Sequence, residues 1–191
     1  MNYCCIMPTG SDYKVNWKQY PSNIQIPDFL RDIVEIFEKH YDEIATKDRE
    51  DTLNSNDVLL VVSSDFEKAG FCVEKSKKSE DKISIPVLFG EQGKMEKSFE
   101  VDAWHPDYKI DIEIEAGRGV TNYQFLKDLF EACIMIDVDY LVIAVKNENV
   151  MKNHDKKITS QDYRRVITFF DSLYASSRLV IPLKGILIIG Y

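Results

Sequence analysis

Between Ser98 and Gly119 the chain reads SFEVDAWHPDYKIDIEIEAGRG, and this stretch constrains the fold more than any other. Its period is two. Val101, Ala103, Ile110, Ile112 and Ile114 fall on one face, and Glu100, Asp102, Asp111, Glu113 and Glu115 on the other. His-Pro-Asp-Tyr in the middle supplies a turn, so the stretch predicts two strands joined as a hairpin. If Trp104 stands opposite Lys109, Asp102 faces Asp111 and lies diagonal to Glu113. A register two residues looser puts Asp102 directly opposite Glu113. In both registers the acids share a face.

Two unit charges about 5 Å apart repel by roughly 3 kcal/mol at an effective dielectric near 20, and by under about 1 kcal/mol where water reaches them. Like charges directly opposite one another are therefore unusual in sheets. Two arrangements relieve the cost: a fully solvated acidic side, or a cation held among the carboxylates. A hard divalent ion such as Mg²⁺ suits the second, since it takes one or two carboxylates and leaves positions for water and phosphate oxygens. Zinc is a poor fit, because Cys4, Cys5, Cys72 and Cys133 contain no C-x-x-C pair.

With 191 residues, 45% of them hydrophobic and 29% charged, the chain suits a single globular domain that needs no disulfides. The start MNYCCIMPTG has neither a basic opening nor an apolar run, and no stretch of about eighteen apolar residues exists to span a bilayer, so a cytoplasmic protein is expected. A formal charge of −8 argues against a protein that coats nucleic acid by bulk electrostatics. It leaves room for a local patch. Lys68, Lys75, Lys77, Lys78 and Lys82, followed by Lys94 and Lys97, read either as a lysine-blunted sheet edge or as a phosphate track.

Along the chain, residues 1–26 read as an irregular arm. A helix follows from Pro27 through Ile44, carrying Phe29, Leu30, Ile33, Ile36 and Phe37 on one side. Asn54-Ser55-Asn56 caps a second helix that ends at Gly70, with Asp57 in its first turn. Residues 71–75 and 83–89 predict strands, and 90–93 a turn. After Glu115 a glycine turn leads to Thr121 and Gln124, a helix-starting pair, and then to a stripe of Phe125, Leu126, Leu129, Phe130, Cys133 and Ile136. Residues 140–145 form a continuous apolar run suited to a central strand, parallel to the second hairpin strand or close to it. Residues 147–160 read as loop and 161–174 as a helix with Arg164 and Arg165 outward. Leu179–Ile181 and residues 185–189 read as buried or edge strand, with sharing by a partner subunit open. The fold class expected is α/β with a central mixed sheet flanked by helices, divided as 1–54 arm and accessory helix, 55–146 core, and 147–191 closing helix and strand.

Helix, strand, acidic hairpin, helix, strand is an order that resembles the PD-(D/E)XK nuclease superfamily, over roughly residues 55–146. The stretches SNDVL, PVLFGE, VDAWHP and AGRG are also similar to bacterial proteins of unassigned role that share this core. In the family, an aspartate on the second core strand and an acid on the third bind metal, and a lysine two positions on completes the set. Asp102 and Glu113 match the two acids, and Glu115 stands at the lysine position. The pattern thus looks like the Glu-x-Glu variant of some type II restriction endonucleases. An acid in the first core helix often joins the site, and Asp57 corresponds to it.

The resemblance implies a restriction-endonuclease-like core and Mg²⁺- or Mn²⁺-dependent hydrolysis of DNA. Asp102 and Glu113 would be metal ligands, Glu115 a general base or second-metal ligand, and Asp57 the holder of a metal-bound water. Lys75 and Arg118 are candidates for the positive charge that the absent lysine would supply. A homodimer follows if both strands of a duplex are cut. Two other readings stay open: a lapsed nuclease-like fold that binds nucleic acid or protein, and an unrelated α/β protein whose acidic hairpin is solvated surface.

Overall fold

A computed structural model describes residues 13–46, 53–76, 78, 81–117, 120, 122–153 and 156–191, the side chains of 151–153, 156 and 157 excepted. Pro27 opens the first helix as its sequence predicts: α1 (Asp28–Lys39) buries Leu30, Ile33, Val34 and Phe37. It stops before the end of the apolar pattern. The His40 ring bridges Glu43 (2.9 Å) and Asp65 (2.8 Å), and a separate turn, α2 (Tyr41–Ile44), follows. In α3 (Ser55–Lys68) the Asn54 side chain accepts the Asp57 N–H, as its capping signature predicts. Gly70, at φ +96°, ends that helix. A Cβ there would lie 2.9 Å from His105 Nε2, which donates to the Ala69 carbonyl at 3.1 Å.

One mixed sheet runs in the spatial order β1 (Asn16–Tyr20), β10 (Gly185–Gly190), β7 (Tyr140–Val145), β6 (Ile110–Glu115), β5 (Ala103–His105), β2 (Cys72–Val73). β6, β7 and β10 are parallel, and the remaining pairings are antiparallel. The crossover through α4 (Gln124–Ile134) brings β6 and β7 together as parallel neighbours, the outcome that strand, helix and apolar strand in succession predict. A second crossover, through α5 (Asp162–Ser176), joins β7 to β10. Helices cover both faces. α1 and α3 pack with Ile110, Ile112, Ile114, Val142 and Ala144, and α4 and α5 with Leu141, Ile143, Ile186 and Ile188. β7 and β10 are apolar on both sides because both sides are covered.

Several segments differ from their sequence reading. Within the expected N-terminal arm, Asn16–Tyr20 is an edge strand. Residues 71–75 contribute only the two-residue β2. The expected loop at 147–160 contains a hairpin of β8 (Asn149–Asn153) and β9 (Lys156–Ser160). β10 lies between β1 and β7, so it has no free edge to share with a partner, and Leu179 and Val180 are exposed and outside any strand. β3 (Ile83–Phe89) and β4 (Met95–Val101) pair only with each other, forming a ribbon outside the main sheet. Among the described residues no helix is long and apolar enough to cross a membrane.

Candidate functional site

The hairpin adopts the looser register. Trp104 pairs with Asp111 and Ala103 with Ile112, which carries Asp102 opposite Glu113. Asp102 sits at a bend where the ribbon enters the sheet. The strict alternation expected there slips: Val101 packs with Ile85 in the α4/α5 core, whereas Ala103 packs in the α1/α3 core. At the bend, Asp102 Oδ2 accepts the N–H of Ile114 at 2.8 Å. Ile114 is the residue between Glu113 and Glu115, so one hydrogen bond ties the first acid to the Glu-x-Glu pair on the next strand.

Asp111, Glu113 and Glu115 point toward α4, since Ile110, Ile112 and Ile114 occupy the other face. α4 answers with more acid. Asp128 is 5% exposed and Asp111 is fully buried, and neither oxygen of Asp111 nor Oδ2 of Asp128 has a hydrogen-bond partner among the described residues. Burial is the first cause of every shift in this group. It pushes Asp102 up to about 6, against the pull of the Ile114 N–H. It raises Asp111 well above the carboxylate range, with Asp128 and Asp102 adding repulsion, and raises Glu113 likewise, with Asp111 and Asp102 adding. Glu115 is raised, and Asp128 is pushed up to about 8 by burial and by Glu115. Glu115 and Asp128 stand close enough to act on each other's titration.

Among the described residues, one cation offsets this charge. Lys127 of α4 draws down Asp102, Glu113, Glu115 and Asp128, while its Nζ lies 3.0 Å from Glu131. A set of oxygen donors around an orphaned buried carboxylate has the chemistry of a hard divalent cation site. Among the described residues, however, no three of His, Cys, Asp or Glu converge to hold a metal ion.

The remaining sequence candidates fall elsewhere. Asp57 is in the exposed first turn of α3, in the layer on the opposite face from the acids, and its carboxylate accepts from Asn54 Nδ2 at 2.5 Å. The start of α3 does abut the end of β6, where Ser55 Oγ accepts the Ala116 N–H. Lys75 follows β2 at the sheet edge, 3.6 Å from Glu67. Arg118, Lys77 and Thr121 lie outside the described residues. Within the lysine patch, Lys68 pairs with Asp65 and Lys82 with Glu100, and Lys97 lies over the Phe99 ring.

Sequence reasoning missed Asp128 and Lys127. The buried face of α4 is Phe125, Asp128, Leu129 and Ala132, while Phe130 and Ile136 of the expected stripe are exposed. The spacing 125, 128, 129, 132 is a strict helical repeat, and following it through the aspartate would have found the acid. Comparisons of the chain with protein-family models, with curated proteins and with solved structures find no match.

Proposed function

We propose that this chain is a metal-dependent nuclease with a restriction-endonuclease-like core, hydrolysing phosphodiester bonds in DNA. The observation that carries the reading is the bond from Ile114 N–H to Asp102, which gathers acids of two strands on one side of the sheet. Asp102 and Glu113 are the residues that would hold Mg²⁺ or Mn²⁺. Such an ion supplies a bound water of lowered pKa and neutralises charge on the phosphate oxygens.

The chain's own groups do the rest. The Ile114 N–H orients Asp102. Glu115, raised by burial, is a stronger base than a surface carboxylate and takes the proton of the attacking water. Lys127 supplies positive charge where the family resemblance places a lysine and this chain has Glu115. If the target is a duplex cut on both strands, two such sites are needed and an isologous homodimer supplies them.

The test is plasmid nicking in Mg²⁺ or Mn²⁺. Activity should vanish in Glu113→Gln and fall roughly 100-fold in Lys127→Met, with both variants folded. Undiminished nicking by Glu113→Gln would falsify the assignment. A second reading, a lapsed nuclease-like fold that binds nucleic acid or protein, is favoured by Glu115 standing where the family resemblance places a lysine and by the net charge of −8. Millimolar MgCl₂ that raises the melting temperature without any nicking supports it.

A further inference from the structure

The strongest unassigned feature lies at the carboxyl ends of the parallel strands. A cavity of about 450 Å³ is lined by Tyr13 and Tyr163 among others, and a second, of about 390 Å³, by Tyr123 and Phe169. Gln161 and Arg164 belong to both linings, so the two adjoin along one side of α5. Arg165 lines the second.

Neither Arg164 nor Arg165 makes an ion pair among the described residues, although both are exposed and the chain is acidic overall. Tyr13 is 56% exposed and Tyr123 60%, so both rings stand open to a ligand. Among the described residues Glu148 is the one acid in either lining, and Gln161 Nε2 donates to it at 2.8 Å. The Tyr191 hydroxyl is a further pointer. Its residue lines the first cavity and is 1% exposed, and the hydroxyl itself is buried with no hydrogen-bond partner among the described residues.

From these observations we infer that the two cavities form one groove that seats a short run of single-stranded nucleic acid. Unpaired bases stack on the exposed rings of Tyr13 and Tyr123, while Arg164 and Arg165 contact the phosphates. Exposed rings and guanidiniums lining one concave surface suit unpaired bases, whose flat faces are free, and not a duplex, which presents its phosphates outward. The inference rests on the nuclease reading and sharpens its substrate to an unpaired strand. Glu115 aligns with Val145, and Val145 with Gly190, whose neighbours Asn147 and Tyr163 border the groove. Glu115 therefore lies two strand spacings away, roughly 10 Å, within reach of the same strand.

The experiment uses the full chain carrying Glu113→Gln, without divalent metal, and fluorescence anisotropy of a labelled oligothymidylate of about twelve nucleotides. The oligonucleotide should bind, and more weakly as salt rises. Joint replacement Arg164→Ala and Arg165→Ala should weaken binding at least tenfold, and Tyr123→Ala about fivefold or more. A fully paired duplex of the same length should bind at least tenfold more weakly, and dTMP should not displace the oligonucleotide. Unchanged affinity in the double-alanine variant, equal affinity for duplex, or displacement by dTMP overturns the groove. Strand binding by a protein that never nicks DNA would remove the nuclease reading and leave the groove standing. Nicking by a protein whose strand affinity ignores both arginines would do the reverse.

Discussion

Asp111 concentrates the energetic tension of the molecule in one side chain. It is fully buried, its carboxylate has no hydrogen-bond partner among the described residues, and Asp128, Asp102 and Glu131 add repulsion. Asp102, pushed up to about 6, and Asp128, pushed up to about 8, bind protons more tightly folded than unfolded, where aspartate titrates at 3.8. Between about pH 4 and 8 the folded chain therefore holds extra protons, and stability falls as pH rises through that window. His40, raised by its bonds to Asp65 and Glu43 despite burial, acts in the same direction. Asp65, held low by Lys39, His40 and Lys68, acts only below that window. Thermal melting of the metal-free protein should thus fall from pH 5 to pH 8. Asp111→Asn should raise the melting temperature more at pH 8 than at pH 5. An equal effect at both would mean that Asp111 carries no such penalty. The acids on the hairpin were legible in the sequence because strand alternation is short-range. Their burial was not, because it depends on which face of α4 covers them.

That face is where local pattern and tertiary packing part. Phe130 looks like core in sequence, yet it is 64% exposed, while Asp128 is turned inward beside Leu129. Leu129→Ala should cost about 2–5 kcal/mol in denaturant unfolding, and Phe130→Ser under about 0.5 kcal/mol. Similar losses at the two positions would contradict the orientation of the helix. Elements whose signals are local were readable: the Asn54 cap, Gly70 at a positive φ, Pro27 at a helix start, and the turn at residues 90–93. The hairpin register was narrowed to two choices, and the looser one holds because a four-residue turn, 106–109, separates His105 from Ile110. The β8–β9 hairpin escaped notice because Asn149–Asn153 and Lys156–Ser160 are polar, without the alternation that marks a half-buried strand.

On the scale of the whole molecule, the mixed sheet and its two helical layers follow from the order of elements, but the place of each end of the chain does not. β1 carries Asn16, Lys18 and Gln19, a composition that gives little sign of a strand, and it is held by pairing with β10. Ile186, Leu187, Ile188 and Ile189 are each 0% exposed, and at about 2 kcal/mol per side chain their burial is worth roughly 8 kcal/mol, comparable to the stability of an ordinary domain. A chain cut after Lys184 should therefore lose cooperative melting and bind a hydrophobic dye such as ANS. Retention of a sharp transition would show that β10 is dispensable.

The pairing of β1 with β10 also sets a timetable for synthesis. Among the described residues, residues 16–20 find their sheet neighbour only once residues 185–190 have been made. Until then that side of the sheet stays open, so its closure is a late, non-local step of folding.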